Sequence, residues 1–153
     1  PPPPDLVANA VSAVLEGKLP PRGSTLAPHR PLCDTCPRNE SKPPKIEIPE
    51  VRRVHMVEAD EGKCFLAQGL LCLGPATRSG CGERCIRVNT PCRGCFGPVE
   101  GVDDGGAKFV SCLAALLSAE DEAEATRVTD GIADLPGTCY RFTAASISLK
   151  GKS

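Results

Sequence analysis

The apolar residues of this chain fall into a few helical stripes separated by long stretches with no period. Leu6, Val7, Ala10, Val11 and Val14 recur at three- and four-residue steps, so the spacing predicts an amphipathic helix from Asp5 to Gly17. Asp5 is the expected cap at its start and Gly17 the expected stop. The run AKFVSCLAALLS, residues 107–118, is the most apolar in the chain and predicts a packing helix. A second helix is expected over Glu120 to Thr129, followed by a tail in which Pro136 and Gly137 precede TCYRFTAAS. Residues 45–48, KIEI, alternate and read at most as a short strand, while Asp60 and Glu61 are placed to start a helical turn or two carrying Cys64 toward Gly69. Residues 19–31 and the polar segment 39–54, with Pro43, Pro44 and Pro49, read as irregular connections. The expected fold class is therefore mainly α with extensive irregular loops.

Composition sharpens this picture. The 153 residues include 16 Pro and 15 Gly but only four Phe, one Tyr and no Trp, so the apolar core is modest and something else must help hold the chain together. A formal net charge of −1 gives no general attraction to nucleic acid or to an anionic membrane surface. No apolar run approaches the roughly 20 residues that span a bilayer, and nothing at the start resembles a signal peptide. With no Met at its start and an immediate proline run, the chain is expected to begin inside a longer protein or after processing.

The candidate chemistry lies in ten cysteines. Six of them, at 64, 72, 81, 85, 92 and 95, stand in the glycine- and proline-rich stretch from Cys64 to Pro98, and Cys33 and Cys36 precede it. Glycine lets backbone approach an inorganic core closely and aim N–H groups at sulfur. Cys-x2-Cys occurs twice and Cys-x3-Cys once, spacing that clips a metal more readily than it forms distant disulfides, so a reducing, cytoplasmic setting is expected.

Four thiolates hold one iron–sulfur cluster, and a proline directly after a ligand cysteine, as in Cys36-Pro37, recurs in ferredoxin-type sites. On spacing, Cys33, Cys36, Cys64 and Cys72 group as one site and Cys81, Cys85, Cys92 and Cys95 as the other, with an interleaved assignment left open. Zinc competes, because it too accepts four cysteines, which would make the chain a nonredox, zinc-stabilised interaction module. Cys64 and Cys72, however, lie too far apart to form a second zinc knuckle. Disulfides are a third alternative.

Arg78, Arg84, Arg87 and Arg93 face a single acid, Glu83, between positions 78 and 93, where they would either tune an anionic cluster or form a solvated basic face. Cys112 and Cys139 are expected to be structural, and His29 and His55 lack metal-ligand spacing. No nucleophile–base pair, phosphate-binding glycine loop or paired-carboxylate motif stands out.

The segments PPPPDLVANAVSAVLEGKLP, LCDTCPRN, CFLAQGLLCLGPATRSGCGERC, PCRGCFGP and GTCYRF resemble the C-terminal half of the small, electron-transferring subunit of cytoplasmic nickel–iron hydrogenases. The resemblance covers nearly the whole chain and is strongest to the methyl-viologen-reducing, F420-nonreducing type. It implies an iron–sulfur domain organised around two 4Fe-4S clusters, the distal one on Cys33, Cys36, Cys64 and Cys72 and the medial one on Cys81, Cys85, Cys92 and Cys95. Respiratory relatives have histidine at the position of Cys33 and proline at that of Cys85, so two all-cysteine sites are expected here. The resemblance further implies an electron relay between the hydrogen-converting site of a nickel–iron large subunit and an iron–sulfur electron-acceptor subunit, whose company in this family can include heterodisulfide reductase. The family's flavodoxin-like N-terminal half, which supplies the proximal cluster, has no counterpart in this sequence.

Overall fold

The computed structural model describes residues 2–21, 24–119 and 121–144 as short helices joined by long irregular segments. The α-helices are α1 (Pro4–Leu15), α2 (Arg84–Arg87), α3 (Gly105–Ala114), α4 (Glu122–Asp130) and α5 (Leu135–Tyr140). Tighter 3-10 turns occupy Leu32–Thr35, Leu66–Gln68 and Gly74–Ala76. Among the described residues β pairing is confined to isolated bridges: Pro31 with Arg78, Ile48 with Leu117, Arg52 with Leu70, and Thr77 with Pro98. The fold is mainly helical with little strand.

Helix α1 forms where the apolar spacing places it, but its start differs from expectation. Pro3 is the cap residue and Pro4 opens the helix, because a proline loses nothing at a position whose N–H has no intrahelical partner. Asp5 stands in the first turn, favourable to the helix dipole but without a capping hydrogen bond. The helix stops at Gly17, as expected, at a φ of 73°. None of its residues is buried, and Val7, Val11 and Val14 are about half exposed.

Helix α3 does pack. The Asp104 carboxylate caps it by accepting from the Ala107 N–H at 2.8 Å, and Phe109 and Leu113 are buried on one face against α5 and the Gly74–Ala76 turn. The α3–α5 contact depends on Gly106, where any Cβ would collide with the Tyr140 ring. The Tyr140 hydroxyl donates to the same Asp104 carboxylate at 3.3 Å, tying the far end of α5 to the start of α3. Helix α4, expected from the sequence, is capped by Asp121 and buries Val128. The position of Glu120 lies outside the described residues.

Three local expectations are revised. KIEI is not a strand: only Ile48, fully buried, bridges the 116–118 segment, through Ile48 N–H to Leu116 O at 2.7 Å and Ser118 N–H to Ile48 O at 3.3 Å. Pro43, Pro44 and Pro49 on either side supply no ladder donors. The helical turn expected after Asp60 appears later, at Leu66–Gln68, because the Asp60 carboxylate accepts from the Gly62 N–H at 2.9 Å and holds a non-helical turn. The tail carries a helix of its own, α5, whose cap Asp134 accepts from the Gly137 N–H at 2.9 Å with Pro136 in the first turn. The core, with Leu32, Ile48, Phe65, Leu66, Leu70, Leu73, Ile86, Phe109, Leu113 and Ile132, takes in Cys72 and Cys92, and Cys36, Cys64 and Cys81 pack against it.

Candidate metal centres

Cys81, Cys85, Cys92 and Cys95 line one cavity of about 290 Å³, walled by Leu32, Ile86 and Phe96. Short-range backbone geometry delivers all four. Glu83, at a φ of 51°, turns the chain into α2, which carries Cys85 in its first turn. The chain reverses after α2 through Asn89, at a φ of 54°, with Thr90 N–H bonded to Cys85 O at 2.9 Å, and Pro91 then leads into Cys92. Cys92 Sγ accepts from the Gly94 N–H at 3.4 Å, and its thiol donates to the Thr77 hydroxyl at 3.6 Å. That hydroxyl donates in turn to Leu73 O at 2.6 Å. Burial pushes the Cys92 thiol up, the Gly94 and Thr77 hydrogen bonds oppose this, and the neighbouring Cys81 and Cys95 sulfurs add to it.

Cys33, Cys36, Cys64 and Cys72 come from separate stretches. Cys33 lies in the Leu32–Thr35 turn and Cys36 ends it, its N–H bonded to Cys33 O at 3.3 Å. Cys64 is positioned by its N–H to the Ser41 hydroxyl at 2.9 Å. At Gly74 an added Cβ would stand 3.2 Å from Cys33 Sγ and 3.6 Å from Cys72 Sγ, so both sulfurs flank this bare backbone. Cys33 is pushed up to about 12, first by burial and then by the Cys64 and Cys36 sulfurs. Cys72 is pushed up to about 12 by burial, against N–H bonds from Gly74 and Cys92, with the Cys92 and Cys33 sulfurs contributing. Cys36 is raised by burial, with Cys64 adding to the rise and the Arg38 backbone N–H and guanidinium opposing it. The four sulfurs are thus electrostatic neighbours, and Cys72 also lies beside Cys92 of the other set.

Two polar contacts between the loops were not evident from spacing. Arg38 is buried at 5 % exposure, donates to Asp60 O at 2.7 Å, Lys63 O at 2.8 Å and Asn89 Oδ1 at 2.7 Å, and lies 4.0 Å over the Phe65 ring. It pins the segment bearing Cys64 to the turn after α2. Thr35, between Cys33 and Cys36, donates to the buried Glu83 carboxylate at 2.7 Å. The one available signal was the position of Arg38 two residues after a ligand-type cysteine.

The remaining candidates fall outside the two sets. Cys139 is buried on α5 and Cys112 is half-buried on α3. His29 pairs with Glu100, and His55 is exposed. Arg84 borders the cavity together with Arg93, whereas Arg78 donates to Pro98 O at 2.7 Å and Arg87 to Gly82 O at 3.1 Å. None of the ten cysteines is in a disulfide, and among the described residues no three His, Cys, Asp or Glu converge to hold a single metal ion. The arrangement of Cys81, Cys85, Cys92 and Cys95 suits a larger guest: soft donors around a cavity with apolar walls and a backbone N–H aimed at sulfur. Among the described residues no helix is long and apolar enough to cross a membrane.

No protein-family model matches the sequence. Curated proteins do. The iron-sulfur G subunit of the F420-non-reducing hydrogenase of Archaeoglobus profundus is 42 % identical over 79 % of this chain and 38 % of its own length. The G subunit of the F420-non-reducing hydrogenase of Methanothermobacter thermautotrophicus is 37 % identical over 98 % of this chain and 48 % of its own length. The protein of the same name from Methanothermus fervidus is 39 % identical over 60 % of this chain and 74 % of its own length. The chain spans about half the length, or less, of the Archaeoglobus and Methanothermobacter proteins.

Proposed function

Because the chain belongs to the family of F420-non-reducing hydrogenase G subunits, we propose that it is the cluster-bearing part of an electron-transfer subunit and holds two 4Fe-4S clusters. The observation that carries this reading is the cavity on which Cys81, Cys85, Cys92 and Cys95 converge. Those four thiolates hold the medial cluster, and Cys33, Cys36, Cys64 and Cys72 the distal one. When bound, the clusters supply one-electron redox chemistry.

The chain's own residues do the rest. Leu32, Ile86 and Phe96 wall the cavity with apolar surface, limiting water and lowering the local dielectric. The Gly94 N–H at Cys92 and the Gly74 and Cys92 N–H groups at Cys72 stabilise thiolate charge. Arg38 and Thr35 hold the two ligand-bearing regions in fixed relation. The same reading makes the chain a relay between a nickel–iron large subunit and an iron–sulfur acceptor subunit in the cytoplasm, with the proximal cluster supplied by the flavodoxin-like half of the small subunit.

Anaerobically purified protein is expected to contain about eight iron and eight acid-labile sulfide per chain, with visible absorption that bleaches on reduction. Stoichiometric zinc without sulfide would overturn the reading in favour of a nonredox module.

A further inference from the structure

A second cavity, an open groove of about 280 Å³, lies on the surface and is lined by Arg52, Arg53, His55, Leu71, Arg93 and Arg141 among others. Its charge is one-sided. No carboxylate is among its lining residues, and Arg52 is the only one of its arginines with a carboxylate at ion-pair distance among the described residues, Glu50 at 3.5 Å. The chain as a whole carries a net charge of −1, so this concentration of cations is local. Five separate stretches build it: the 51–55 loop, Leu71, Arg93, residues 131–133 and the end of α5 with Thr138 and Arg141.

The position of the groove matters as much as its sign. Arg93 stands between Cys92 and Cys95 in sequence and also borders the cysteine-lined cavity, and Leu71 directly precedes Cys72. An occupant would therefore rest against Leu71, which precedes Cys72, and Arg93, which follows Cys92, one residue from a cysteine of each set. A small anion is held by buried, convergent donors in an enclosed site. Here Arg52, Arg53 and Arg141 are exposed and stand on the rim, with Val51, Leu71 and Ile132 contributing an apolar floor. Charges spread around an exposed rim steer and orient a protein surface.

We propose that this groove is the docking surface for an acidic, one-electron carrier protein. The proposal rests on the relay reading above. Docking passes one electron in either direction: the carrier gains the electron that the chain loses, or the reverse, with no bond formed and no proton moved.

The test uses the full chain with its clusters, reduced anaerobically, and follows its oxidation by stopped-flow absorption. The anionic oxidant ferricyanide and the cationic oxidant hexaammineruthenium(III) serve as probes, with polyglutamate or inorganic phosphate as competitor at equal ionic strength. With the unaltered chain, added salt and polyglutamate should each slow ferricyanide, and phosphate should have no effect beyond its ionic strength. The combined variant Arg52→Glu, Arg53→Glu, Arg141→Glu should slow ferricyanide on the order of tenfold and speed hexaammineruthenium(III). Equal rates for variant and unaltered chain would overturn the docking surface, as would displacement by phosphate as effective as that by polyglutamate. If the combined variant lost iron, Arg53→Gln alone would carry the test, with a smaller slowing in the same direction expected and no slowing overturning the proposal. A chain without bleachable visible absorption has no electron to give and sinks the relay reading together with the proposal. That outcome is read from the spectrum before mixing and is distinct from a failure of the groove alone.

Discussion

The two cysteine sets are built by different means. Cys81, Cys85, Cys92 and Cys95 come from one short stretch, and their approach is written into consecutive turns: the left-handed Glu83 and Asn89, the short helix α2 and the Cys92–Gly94 hydrogen bond. Cys33, Cys36, Cys64 and Cys72 are drawn from distant stretches, and their approach depends on long-range polar ties from Arg38 to Asp60 O and Lys63 O and from the Cys64 N–H to Ser41, while Thr35 ties Cys33 and Cys36 to Glu83 beside the other set. A locally built set should lose ligands one at a time, whereas a remotely built set should fail when a tie is cut.

The largest effect is expected from Cys85→Pro. Cys85 occupies the second position of α2, where proline is tolerated, so the substitution removes one thiolate while leaving its three neighbours in place. The medial cluster should lose one iron and give a three-iron signal in the electron paramagnetic resonance spectrum of the oxidised protein, with the other cluster unchanged. An unchanged spectrum and iron count would remove Cys85 from the ligand set.

Arg38→Gln should act on the other set. It takes a charged donor from Asp60 O, Lys63 O and Asn89 Oδ1, and the loss of such buried bonds costs roughly 2–4 kcal/mol. Hydrogen exchange should quicken around residues 60–65 before it does around 81–95. Arg38→Lys should not rescue, since an ammonium lacks the planar fork that serves three acceptors. Equal loosening of both regions would contradict the contrast.

Metal-free protein should be alkali-sensitive. Cys33 and Cys72 are raised from 9.0 to about 12, so the folded state holds their protons more tightly than the unfolded chain. The stability this contributes is complete below about pH 9 and is lost as pH rises toward 12. Ligand thiolates in the cluster-loaded protein have no proton to lose, so its unfolding midpoint should vary less across that window. Parallel pH profiles for the two forms would count against thiolate ligation.

Thr35→Val is expected to have the smallest effect. It removes the 2.7 Å bond to Glu83, worth on the order of 1 kcal/mol, and leaves every sulfur in place. Denaturant midpoints should fall slightly with iron content unchanged; loss of iron would make this contact part of cluster retention.

Sequence pattern located much of this architecture where structure is local. The stripe of α1, the apolar run of α3 and the segment Glu120 to Thr129 all correspond to helices, and Cys81 to Cys95, close in sequence, line a common cavity. The apolar run of α3 already marked it as a packing helix, but the stripe of α1 gave no sign that α1 would stay exposed, and the Gly106–Tyr140 approach that seats α3 on α5 has no signature in the pattern. Helix α5 was hidden by Pro136 and Gly137, which mark a tail unless Asp134 caps them. Arg38 and Glu83 were illegible as partners of these loops, since a charged residue's burial is decided by segments tens of residues away.

Cys92 belongs to both regions: its carbonyl accepts from the Leu73 N–H at 3.0 Å, and its own N–H reaches Cys72. This gives maturation a direction in time. Closing the short loop through Cys81, Cys85 and Cys95 costs little chain entropy, and once it is closed Cys92 presents a ready template for the Leu71–Leu73 segment. Cys33 and Cys36, which stand more than 30 residues before Cys72, have the longer loop to close. If the two sets hold clusters as proposed, the locally closed one is expected to be competent to receive its inorganic core before the other.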